Sequence, residues 1–148
     1  MALLGSLAAA CGSPPPPPEV DELTAQLDRA RADSQLAKDA AAATPPPPTA
    51  AALTAVASER SAHAQALSDE LVRMVGKDAP TASATTTTAQ PAKAPTTEDV
   101  IAALSESADA ATQLAAKQSG YRAGLLGSIA ASCTAAYKVA LVLPGAPQ

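Results

Sequence analysis

Large side chains are scarce in this sequence, which has no Phe, no Trp and two Tyr in 148 residues. Aromatic platforms for stacking bases are therefore missing. The ten Lys and Arg residues are scattered singly in a chain of net charge −4, and they form no basic stripe. Both absences argue against nucleic acid as a partner and leave polybasic attachment to anionic lipid unsupported. Two cysteines, Cys11 and Cys133, are too few for a disulfide framework or a cysteine-based zinc site. Long apolar runs are missing too. The uncharged stretch from Ala123 to Tyr137 is bracketed by Arg122 and Lys138, short of the roughly 20 residues that a membrane-spanning helix needs.

Alanine fills the place of the absent bulk. It is the best helix former, and its small side chain lets helices approach closely, although each buried methyl removes little apolar area from water. Setting aside the Pro- and Thr-rich pieces leaves about 95–100 residues able to pack, near the lower end for one core. The composition predicts an all-α fold in which close approach substitutes for bulk.

Four amphipathic segments carry that prediction. The first follows the prolines Pro14–Pro18: Val20, Leu23, Leu27 and Ala30 recur at three- and four-residue steps. Glu19, Asp21 and Glu22 place negative charge at the positive end of the helix dipole, and Pro45–Pro48 terminate the segment. Thr49 is the expected cap of the second helix, whose face is Leu53, Val56, Arg60, His63, Leu67, Leu71 and Met74, with Gly76 at its end. From Lys77 to Pro95 no apolar period survives, which predicts a disordered Thr/Pro linker between helices two and three. Thr96 and Asp99 form an approximate capping box for helix three, with Val100, Leu104, Ala108, Ala111, Leu114 and Gln118 along its face and Gly120 as its stop. Helix four carries Leu126, Ile129, Cys133, Tyr137 and Ala140 and ends at Pro144–Gly145. The short joint at Gly120 implies antiparallel neighbours, and the whole predicts an antiparallel four-helix bundle.

The opening, MALLGSLAAAC, has an apolar segment and small residues running into Cys11, and so resembles the end of a secretory signal. The LAAAC at its end resembles a bacterial lipobox, in which the cysteine thiol accepts diacylglycerol and its amine becomes the new N-terminus. Ala8 stands where a large aliphatic residue is usual, and no basic residue follows Met1, so the expected translation start lies further upstream. The division expected is a signal-like segment at 1–11, a proline tether at 12–18, a helical domain at 19–143 with the linker at 77–95 inside it, and a tail at 144–148.

The segments SERSAHAQALSDELVRMVG and YRAGLLGSIAASCTAAYKVAL, separated by a Thr/Pro linker, resemble the alanine-rich lipoproteins of mycobacteria and other actinobacteria that carry a ferritin-like domain of unknown function. The resemblance covers roughly residues 50–143. It implies a ferritin-like bundle and hands over no reaction.

A working ferritin-type di-iron site needs a Glu from each of two helices and a Glu-x-x-His from each of the other two. With one histidine in the chain, two such motifs are impossible. Glu59 and His63, four apart, share a helix face and, with carboxylates from other helices, are the metal-site alternative. Glu70, Glu106 and Asp109 form no repeat around them, and a polar contact within or between helices is the expected role of the pair. Cys133 reads as a small buried hydrophobe, with no sequence neighbour to activate its thiol. The expectation is a non-enzymatic, cofactor-free protein held at the extracytoplasmic face of the cell membrane by a lipid on Cys11. It presents its bundle to an envelope protein partner, and homodimerisation stays open. Two alternatives remain: a bundle that binds metal or a small ligand, and a cytoplasmic protein if Met1 is the true start.

Overall fold

A computed structural model describes residues 17–79 and 93–142. Cys11, most of the proline tether, most of the Thr/Pro linker and the tail lie outside the described residues. Among the described residues there are four α-helices and no strand: α1 Pro18–Ala42, α2 Pro47–Val75, α3 Thr97–Ala115 and α4 Gly120–Ala135. A 3-10 turn, Gly76–Asp78, follows α2, and a π-helical turn, Ala136–Ala140, follows α4. The helices form a bundle in which α1 packs mainly on α2 and α3 on α4. Contacts of α1 with α3 join the two pairs, and α2 barely meets α4. No helix among the described residues is long and apolar enough to cross a membrane.

The stripes read from the sequence supply the core. Leu23 and Leu27 of α1, Leu53, Leu67 and Leu71 of α2, and Leu104 of α3 are all buried, each contributing about 1.5–3 kcal/mol of transfer free energy. Between α1 and α2 the seam is built from small residues. Ala30 and Ala37 are buried on one side, Ala57 and Ala64 on the other. The helices come so close there that Ser34 Oγ donates to the Ala57 carbonyl oxygen at 2.8 Å.

Helix ends follow local chemistry. At α3, Thr96 Oγ1 accepts from the Asp99 backbone N–H at 3.2 Å while Asp99 Oδ2 accepts from the Thr96 N–H at 2.8 Å, completing the capping box. Three expectations need correction. Thr49 does not cap α2, because the helix already begins at Pro47, whose fixed φ suits a first helical position. Thr49 is left buried in the first turn, its hydroxyl without a partner. Gly120 does not end α3, which stops at Ala115; it opens α4 at φ +56°, a backbone conformation that glycine adopts without steric cost. The face expected of helix four also shifts at its end. Cys133 is buried as expected, but the next buried residues are Ala136 and Leu141, while Tyr137 is half-buried and Ala140 exposed. The π-helical turn explains this: its wider loop, closed by Leu141 N–H donating to the Ala136 oxygen at 3.0 Å, inserts a residue and moves the stripe.

Candidate functional site

Polar residues interrupt three of the apolar stripes at helical spacing. Asp33 falls between Ala30 and Ala37 on α1, Arg60 between Val56 and Ala64 on α2, and Ser107 between Leu104 and Ala111 on α3. Because they occupy core-facing positions, packing the stripes forces them together. Arg60 is 2% exposed, Asp33 5% and Ser107 0%.

The geometry around them is tight. Arg60 donates to Asp33 Oδ2 from Nε at 3.1 Å and from Nη2 at 2.9 Å. Ser107 Oγ donates to the same oxygen at 2.6 Å and lies 3.4 Å from Arg60 Nη2. The remaining guanidinium nitrogen, Nη1, sits 3.1 Å from His63 Nδ1. A single cation thus ties α1, α2 and α3 through the bundle interior.

Burial sets the protonation states here. It pushes the Asp33 carboxyl above the usual carboxylate range, opposed by the Ser107 hydrogen bond and by the Arg60 charge. Burial lowers the His63 pKa, and Arg60 lowers it further, against a smaller opposing pull from Glu59. A neutral imidazole accepts the Arg60 N–H at Nδ1 and carries its own proton on Nε2. The Cys133 pKa is raised by burial, so its thiol is a poor nucleophile at neutral pH.

Sequence reading set Glu59 beside His63 on one helix face, and the structure turns them to different partners. Glu59 is exposed and accepts from Ser132 Oγ of α4 at 3.0 Å, whereas half-buried His63 faces Arg60. Glu70 is buried against Arg73 and Arg122. Exposed Glu106 lies 3.8 Å from Arg29, and Asp109 is exposed. No group of three or more His, Cys, Asp or Glu placed to hold a metal occurs among the described residues. Cys11 lies outside the described residues. Asp33 and Ser107 were not singled out from the sequence. Their signal was there, as polar residues on apolar stripes, but one turn of polarity on a stripe does not say what it meets. Comparison of the chain with protein-family models, with curated proteins and with solved structures finds no match.

Proposed function

We propose that the protein is a non-enzymatic lipoprotein of the cell envelope whose bundle is an antiparallel, ferritin-like scaffold for a protein partner. In this reading Cys11 carries the lipid, the prolines from Pro14 hold the bundle off the membrane, and the helices present their outer faces outside the cell. Two or more acyl chains give stable attachment, which one alone does not. The anchor rests on LAAAC and the proline tether that follows it.

The observation that carries the scaffold reading is the Arg60 guanidinium in the bundle interior. A ferritin-type centre gathers carboxylates and imidazoles from facing helices around cations. Here a fixed cation already takes up Asp33 Oδ2, and it faces the Nδ1 that His63 would offer a metal. Repulsion by the guanidinium opposes a divalent ion beside it, and the buried pair instead holds three helices in register.

Two experiments test this. Purified protein exposed to Fe(II), Mn(II) and Zn(II) and then dialysed should retain substoichiometric metal. Stoichiometric metal that is lost in His63→Ala would overturn the scaffold reading in favour of a metal-binding bundle. In the native host, with the native upstream region, the protein should partition into detergent, and Cys11→Ser should move it to the aqueous phase. Unchanged partitioning of Cys11→Ser would refute the anchor.

A further inference from the structure

Of the four helices, α4 is the one that the buried network leaves out. From its place on α2, Arg60 reaches α1 through Asp33 and α3 through Ser107. Helix α4 lies mainly against α3 and touches α2 only lightly. Long polar side chains span the α2–α4 seam. Glu59 accepts from Ser132 at 3.0 Å, Arg122 stands 4.0 Å from Glu70, and Arg73 lies 4.3 Å from the centre of the Tyr121 ring. Solvent reaches at least one partner of each contact, and such contacts add little stability. Further along the seam, a groove of about 470 Å³ separates Ala52 and Ala55 of α2 from Ala135 and Val139.

Helix α4 is also weak taken alone. Helices α1 and α2 begin on prolines and α3 on its capping box, whereas Ser119 makes no side-chain cap bond to α4. The first turn of α4 holds no acid, and it places Arg122 at the positive end of the helix dipole. Gly124 and Gly127 are exposed inside the helix, and nothing lies within 4 Å of where a Cβ would stand on either. Glycine inside a helix favours the unfolded chain, and no close approach requires it here. Four buried residues hold α4 in the core, against nine in each of α1 and α2.

We propose that α4 is a gate: it comes away from α2 and α3 with loss of its helical hydrogen bonds, pivoting at Ser119 and Gly120, while the Arg60 network keeps α1, α2 and α3 assembled. Local opening of this kind falls to the part of a fold with the fewest buried contacts. The open form uncovers apolar interior that Leu126, Ile129 and Cys133 seal in the closed bundle. The gate does not depend on the lipid anchor, so it stands whether or not the envelope reading does.

Amide hydrogen exchange of the full chain at pH 7, resolved residue by residue by NMR, tests this. After correction for intrinsic rates, the amides of Leu126, Ile129 and Cys133 should exchange about ten times faster, or more, than those of Leu27 and Leu67. Two variants at exposed helical positions separate a gate from unfolding of the whole molecule. Ala25→Gly weakens α1, which stays folded when the gate opens. It should speed exchange at Leu27 and Leu67 about fivefold and leave α4 unchanged. Gly124→Ala/Gly127→Ala strengthens α4 and should slow exchange at Leu126, Ile129 and Cys133 about tenfold. Equal protection across the helices, equal acceleration of α4 by Ala25→Gly, or no slowing by the paired alanines would overturn the proposal.

Discussion

Replacing Arg60 by Met keeps much of the aliphatic stem and deletes the charge. Asp33 Oδ2 then loses the Nε and Nη2 donors at 3.1 and 2.9 Å and keeps the Ser107 hydroxyl. A carboxylate 5% exposed has little water to turn to, and removing one partner of a buried ion pair costs about 3–5 kcal/mol. Against a domain stability of about 5–15 kcal/mol, that is a large share. Asp33→Leu should cost a similar amount, because it strands the guanidinium instead. Asp33→Leu/Arg60→Met removes both charges and should lie near wild type, or be more stable by about 1–4 kcal/mol. Urea unfolding followed by far-UV circular dichroism at pH 7.5 gives the four stabilities, and the cycle should return a coupling of about 3 kcal/mol or more. Additive effects, or an Arg60→Met cost under about 1 kcal/mol, would refute the claim that this pair is dry and mutually dependent.

Three further outcomes follow from the same geometry. His63 has a lowered pKa in the folded protein, so the folded state takes up its proton less readily than the unfolded chain. The stability this histidine contributes is complete above its ordinary pKa of 6.5 and is lost as pH falls through and below that value; His63→Gln should flatten urea midpoints between pH 7.5 and 5. Thr96→Ala removes the capping box of α3 and should cost about 1 kcal/mol in the same assay, and no loss would show that this end is not held by its cap. Cys133 is 1% exposed with a raised thiol pKa, so iodoacetamide at pH 8 followed by peptide mass mapping should label it only on addition of denaturant. Rapid labelling of the native protein would contradict its burial.

Much of the bundle is legible in the sequence because its signals are local. The capping box at Thr96 and Asp99 lies within four residues, and the Leu stripes of α2 and α3 repeat at one period. The errors arose where two local rules compete. Thr49 is a good cap by chemistry, but Pro47 beside it is already set for the first helical turn, and the helix starts there. The π-helical turn after Ala135 has no consensus that a periodic reading recognises, so Ala140 falls on the exposed side of the shifted stripe, while Tyr137 stays packed, half-buried, against the core. The buried network was half visible. Arg60 stands on an apolar face, which flags it, but it meets Asp33 and Ser107 across 27 and 47 residues of sequence, respectively. Such a meeting is decided by how α1, α2 and α3 pack, which no single helix records.

The central claim is the envelope anchor, and the mass of the N-terminal fragment tests it most directly. Protein made in its native host is digested, and the fragment containing Cys11 is analysed intact. The account predicts a fragment beginning at Cys11 and carrying diacylglycerol, with or without a further acyl chain on its amine. An unmodified fragment that retains Met1 would contradict it and leave the bundle without its anchor.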